Sequence, residues 1–163
     1  MHSLNIREIR PQDNAAIAQV IRDVLIEHDV PKIGTAYADP ELDHMYEAYV
    51  VPNARYFVVE LNGKIVGGAG VSKLSDGDNC ICELQKMYFL KEARGLGIGA
   101  LMMEKCLLAA REFGYEKCYL ETMTYMEPAQ RLYQKTGFTY LNEPMGNTGH
   151  NACPVWMIKE LNS

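Results

Sequence analysis

The chain has 163 residues, 48% apolar and 23% charged, the balance of a soluble globular protein, and its length suits one domain over residues 1–163. A formal net charge of −5 argues against nucleic acid as a partner, because neutralising phosphates needs a basic face. The five cysteines include no C-x-x-C pair, no stretch approaches a membrane span, and the N-terminus lacks an apolar leader region; together these predict a cytoplasmic setting with no membrane and no metal.

Residues 4–10 read as a first strand. Asp13 then stands where a helix cap is needed, and Ile17, Val20, Ile21, Val24 and Leu25 recur at spacings of three and four, one helical stripe. Pro31 and Gly34 break the pattern. Asp39-Pro40 restarts it as cap and first helical residue, with Leu42, Met45, Tyr46 and Tyr49 as the next stripe. "YFVVEL", Asn62-Gly63 and "KIVGGAGVSKL" form a hairpin signal with the preferred two-residue turn. Residues 80–90 make a third strand of this meander. A helix follows to about Phe113, with Ile98, Met102, Cys106, Ala109 and Phe113 on its inner face and Leu101 and Leu108 flanking. Residues 117–123 are a strand, "EPAQRLYQKTGF" a short helix stopped by Gly137, and "FTYL" and "CPVWMIKEL" the last two strands.

Gly95, Gly97 and Gly99 alternate where the long helix begins. Each costs a helix roughly 1 kcal/mol against alanine, so the bare backbone there asks for another cause. The first N–H groups of a helix lack partners and the helix dipole adds partial positive charge, so the turn can hold phosphate. Arg94 adds a charge beside it. The turn is not a P-loop, since no Gly-Lys-Ser/Thr follows. Gly95, Gly97 and Ala100 formally meet the dinucleotide fingerprint, and Glu116 or Glu121 follows about 20 residues on. Lys91 to Arg94, however, separate the strand from the glycines, and the motif sits mid-chain after an antiparallel meander.

Residues 94–99, Arg-Gly-Leu-Gly-Ile-Gly, resemble the [QR]-x-x-G-x-[GA] motif of the Gcn5-related N-acetyltransferases (GNAT). "AQRLYQKTGF" at 129–138 is similar to that family's second signature, A-x-x-L-Y-x-K-x-G-F. The recognisable motifs span residues 84–138, and the element order agrees with the family's fold along the whole chain. The resemblance implies an α/β (α+β) fold: a mixed, mostly antiparallel sheet of six to seven strands, flanked by about four helices and splayed at the fourth and fifth strands. It also implies transfer of acetyl from acetyl-coenzyme A directly to an amine of a small molecule or peptide, with no acyl-enzyme.

By that resemblance the pyrophosphate cradle is the backbone of Arg94, Gly95, Leu96, Gly97, Ile98, Gly99 and Ala100. The pantetheine rail is the main chain at Met87, Tyr88 and Phe89, whose side chains read as core. Tyr133 holds the place of the phenol that protonates the leaving thiolate. Glu83, a carboxylate in an apolar strand, is the candidate base, with Glu121 and solvent as alternatives and pairing with Lys86 or Arg131 as the structural explanation. Met126 stands where relatives often carry an asparagine that contacts the coenzyme. Residues 33–51 and 142–154 are expected to shape the acceptor site. Asp39, Glu41, Asp43 and Glu47 with Tyr37, Tyr46 and Tyr49 suit either a cationic amine or a solvated face. His150 is either a pocket wall or a surface residue. A homodimer is compatible with the sequence. A non-catalytic acyl-coenzyme A-binding module and a nicotinamide-dependent oxidoreductase are the rival functions.

Overall fold

The computed structural model describes residues 3–124 and 126–161; His2 and Tyr125 lie outside them. Seven strands make one sheet: β1 (Leu4–Glu8), β2 (Arg55–Leu61), β3 (Lys64–Lys73), β4 (Ile81–Phe89), β5 (Lys117–Thr122), β6 (Thr139–Tyr140) and β7 (Val155–Glu160). Their order is β1-β2-β3-β4-β5-β7-β6. Only β4 and β5 run parallel, joined by the crossover through the long helix. The helices are α1 (Asn14–Glu27), α2 (Met45–Tyr49), α3 (Ile98–Glu112) and α4 (Glu127–Thr136). Among the described residues no helix is long and apolar enough to cross a membrane.

The two-residue period of β2 sorts its side chains to two cores. Tyr56 and Val58 face the cluster built on Ile17, Ile21 and Leu25 of α1 with Leu42 and Met45. Phe57, Val59 and Leu61 face the cluster that holds Met102, Met103 and Cys106 of α3 with Tyr133 and Phe138. Helices thus cover both faces of the sheet.

Three expectations need correction. Asp13 and Asp39 stand at helix starts but make no side-chain cap. The Asp13 carboxylate accepts instead from Arg7 and from the Arg10 N–H. Burial alone would raise its pKa; the Arg7 and Arg10 hydrogen bonds outweigh that and hold it below the usual carboxylate range. The segment after Pro40 winds as a 3-10 turn over Pro40–His44 before the short α2. Leu101 and Leu108 are exposed, and Met103, Leu107 and Ala110 complete the buried stripe of α3.

The feature that positions the site lies in β4. Gly68 pairs with Tyr88 and Gly70 with Gln85, so β4 carries one residue more than β3 there. The bulge falls at Lys86, which takes φ +49°, the left-handed region. The buried Tyr56 hydroxyl donates to the Lys86 carbonyl at 2.7 Å and fixes the bulge from below. Tyr56→Phe removes that donor and strands a buried carbonyl. Urea denaturation should show an unfolding free energy lower by about 1–2 kcal/mol; an unchanged value would mean that the bulge does not lean on the hydroxyl.

Candidate functional site

Pairing of β4 with β5 ends at Glu83, opposite Tyr119. Beyond it the strands part, and a cavity of about 60 Å³, room for a few waters, opens between them. Glu83, Met87, Glu121, Tyr133, His150 and Cys153 are among its walls. The expected splay is therefore present, and it brings both predicted catalytic residues to one cavity.

Glu83 is 4% exposed. Neither Lys86 nor Arg131 pairs with it: Lys86 is engaged elsewhere and Arg131 meets Glu127 on α4. Its Oε1 accepts a 2.7 Å hydrogen bond from the Gln85 amide, and the Gln85 Oε1 accepts from the Tyr49 hydroxyl at 2.5 Å. Desolvation dominates, only partly offset by that amide, and pushes the carboxyl up to about 7. Tyr133 is buried, and burial raises its phenol well above the ordinary range, so the group stays a proton donor.

A charged network that spacing along the chain did not reveal surrounds the cavity. The bulge buries the Lys86 side chain and carries its Nζ to Asp39 (2.8 Å) and Glu41 (3.0 Å). Asp39 also takes the Nε2 of His150, at 2.9 and 2.8 Å to its two oxygens. Burial would lower the pKa of His150, but the Asp39 hydrogen bond wins and raises it. Lys86 follows the same logic: desolvation lowers it, while Asp39 and Glu41 raise it further. His150 Nδ1 lies 4.0 Å from Glu121 Oε1. Glu121 accepts from the hydroxyls of Tyr119, at 2.6 Å, and Thr148. The acidic run at 39–47 thus divides. Asp39 and Glu41 serve this network, whereas Asp43 pairs with Arg22 and Glu47 with Asn14 on the surface.

The glycine turn lies past the far end of β4. Gly95 and Gly97 take φ +77° and +76°, and a Cβ at either would meet nothing within 4 Å, so the outer side of the turn is open. Leu96 is exposed, Ile98 is buried, and Ala100 is exposed on the first turn of α3. Gly99 answers to packing, since its Cβ would stand 3.1 Å from Leu132 of α4. Arg94 is spoken for: its guanidinium forks onto Glu27 at 2.9 and 2.8 Å and donates to the Phe89 carbonyl. Met87 and Phe89 pack on one core and Tyr88 on the other, as expected of side chains whose main chain forms an edge. Met126 lines the cavity, and its Sδ takes the Thr122 hydroxyl at 3.7 Å.

Residues 22–138 match the profile of the Acetyltransferase (GNAT) family. The chain is 43% identical over 157 residues to an Escherichia coli K12 protein named as an uncharacterized N-acetyltransferase, YjgM, covering 96% of this chain and 94% of that one. It is 29% identical to a protein of Azospirillum brasilense named IAA acetyltransferase, covering 84% of this chain and 88% of that one. A GNAT acetyltransferase of Staphylococcus aureus Mu50 shares the fold at TM-score 0.87 and 22% identity, over 98% of this chain and 100% of that one. A Salmonella typhimurium protein, yncA, solved with its cofactor acetyl-CoA, shares it at TM-score 0.78 and 19% identity, over 98% and 95%.

Glu83 has a consequence for stability. Its pKa is 4.5 unperturbed and about 7 when folded, so between those values the folded chain holds a proton that the unfolded chain has released. Stability therefore falls as pH rises through that window. Glu83→Gln should leave stability nearly unchanged at pH 4 and raise it at pH 8, by up to about 3 kcal/mol. Urea melts at the two pH values check this; a gain equal at both would place the Glu83 pKa outside the window.

Proposed function

The chain belongs to the acetyltransferase (GNAT) family, whose members use acetyl-CoA, and from that premise we propose that it moves the acetyl group of acetyl-CoA directly onto a primary amine held at the mouth of the β4–β5 splay. The observation that carries the proposal is Glu83: a buried carboxyl raised to about 7, at the last paired position of β4, in one cavity with Tyr133.

The open side of Gly95 and Gly97, at the start of α3, suits the pyrophosphate. Backbone N–H groups of residues 94–100 would hold it, helped by the helix dipole. Arg94 braces the turn through Glu27 and Phe89. The unpaired edge of β4 at Met87, Tyr88 and Phe89 offers main-chain groups to the pantetheine arm and the acetyl carbonyl. Glu83 takes a proton from the incoming ammonium, directly or through a water in the cavity. The neutral amine attacks the thioester carbon, the carbon–sulfur bond breaks, and Tyr133 gives its proton to the departing sulfur. The proton that the new amide nitrogen sheds restores the Tyr133 phenol, and Glu83 passes the ammonium's first proton to solvent. A base near 7 suits that proton transfer, being ionised often enough at neutral pH and yet basic enough to accept.

Four measurements test this. Calorimetry should show acetyl-CoA binding and no NAD binding. Gly97→Val puts a branched side chain into the open space and should abolish acetyl-CoA binding while circular dichroism stays native. Gly99→Val is a poorer probe because it also presses on Leu132. Tyr133→Phe should lower kcat roughly 10–10³-fold with little change in coenzyme affinity. In the wild type kcat/KM should climb with pH through about 7. Glu83→Gln should lose that limb and recover part of its rate at high pH, where the amine deprotonates unaided; an unchanged profile would pass the base role to Glu121 or solvent.

A further inference from the structure

The cavity walls carry information about the acceptor beyond its being an amine. Glu83 and Glu121 face it from the two parted strands, and the Nδ1 of His150 completes a triangle from the late loop. The facing atoms of these three residues lie within 4.8 Å of one another. Each is steadied from behind: Glu83 by Gln85, Glu121 by Tyr119 and Thr148, and His150 by Asp39 on its Nε2. With Asp39 taking the Nε2 proton, Nδ1 is the nitrogen with acceptor capacity in the neutral ring.

An ammonium has three N–H donors and no acceptor. At hydrogen bonds of about 2.9 Å its tetrahedral donors would set three acceptors roughly 4.7 Å apart. Around tetrahedral zinc, at about 2.0–2.1 Å, the same atoms would stand only about 3.4 Å apart. The 4.0 Å from His150 Nδ1 to Glu121 Oε1 falls between these two spacings, so the charge of the walls rather than this edge points to the occupant.

What the walls lack matters equally. Among the described residues, Lys86 is the sole lysine or arginine of the lining, and it is already shared between Asp39 and Glu41. The one other group there able to carry positive charge, His150, faces Asp39 with its Nε2 and Glu121 with its Nδ1, so a carboxylate already stands on each side of the ring. A carboxylate carried next to the acceptor nitrogen would meet Glu83 and Glu121 with no unpaired cation to receive it, a like-charge contact in a desolvated space.

We infer that the acceptor is a cationic primary amine with no carboxylate beside the nitrogen, such as an alkyl diamine or a lysine side chain, seated among Glu83, Glu121 and His150; this rests on the acetyltransferase function proposed above. The ammonium is the proton source for Glu83, and its positive charge complements both carboxylates. The class excluded is the free α-amino acid, whose carboxylate sits one carbon from its nitrogen.

The test uses the full chain with saturating acetyl-CoA and free-thiol release as readout. Acceptors are 1,5-diaminopentane, Nα-acetyl-lysine methylamide, alanine and glutamate. The first two should exceed the α-amino acids in kcat/KM by about 10²-fold or more. An α-amino acid that equals or beats them overturns the inference and leaves the acetyltransferase function standing; binding of acetyl-CoA with no turnover of any amine overturns both. Glu121→Gln should raise KM for the diamine roughly 10–10²-fold, the usual weight of a charge-assisted hydrogen bond, with KM for acetyl-CoA unchanged and partial rescue by Glu121→Asp. An unchanged diamine KM overturns the inference. So does activity that EDTA abolishes and zinc restores, which would make the triangle a metal site.

Discussion

Everything at the site follows from where β4 stops pairing with β5. A parallel pair would normally continue its ladder to the ends of both strands, and here it stops at Glu83. The bulge at Lys86 turns β4 away, and the Tyr56 hydroxyl holds the bulge in place from the α1 side. Three results come from that one deviation. A strand edge is left unpaired inside the molecule. A cavity opens beside it. Lys86, which regular alternation would have placed differently, is buried against Asp39 and Glu41.

The network around the cavity is costly by itself. Burying carboxylates, a lysine and a histidine forfeits their hydration, and the mutual attraction restores only part of it. Glu83 bears the largest uncompensated share, since an amide is the partner it receives and no cation pairs with it. Replacing such a group by a neutral isostere normally improves stability, so folding alone does not account for its presence. Asp13 and Arg7 make the contrast. They too are largely buried, but Arg7 forks onto Asp13 and also meets Glu60, and that cluster ties β1 to the start of α1 far from the cavity.

Much of the fold was legible because its signals are local. The Asn62-Gly63 turn, the stripes of α1 and α3, and Gly114 and Gly137 after helix ends each state their structure within a few residues. The glycine turn was legible for the same reason, as was the isolation of Glu83 in an apolar strand. What stayed hidden joins residues far apart: His150 meets Asp39 across 111 positions, and Lys86 meets Glu41 across 45. Asp39 departs from its expected capping role for a physical cause. Its place before Pro40 is a capping position, but the carboxylate finds a stronger electrostatic partnership in Lys86 and His150 than a helix of one short turn can offer. The bulge had no local mark at Lys86, which is not a residue that left-handed backbone favours, and only the family resemblance implied one near Met87, Tyr88 and Phe89.

The two ends of β4 divide the electrostatic work. At the glycine turn the side-chain charge is spent, with Arg94 neutralised by Glu27 and locked to the Phe89 carbonyl. What faces outward is backbone: open glycines with φ near +77° and the first N–H groups of α3. That arrangement favours a phosphate by dipoles fixed in the fold and asks no flexible side chain to reorganise. At the splay the reverse holds, and side-chain carboxylates face a space whose sole lysine or arginine among the described residues, Lys86, is already paired. The two ends of β4 thus differ in what they suit: backbone dipoles for an anion at one, carboxylates for a cation at the other. Met87 and the ring of Tyr133 are among the walls of the same cavity. Burial at this cavity keeps the Glu83 carboxyl high and the Tyr133 phenol protonated at the same pH.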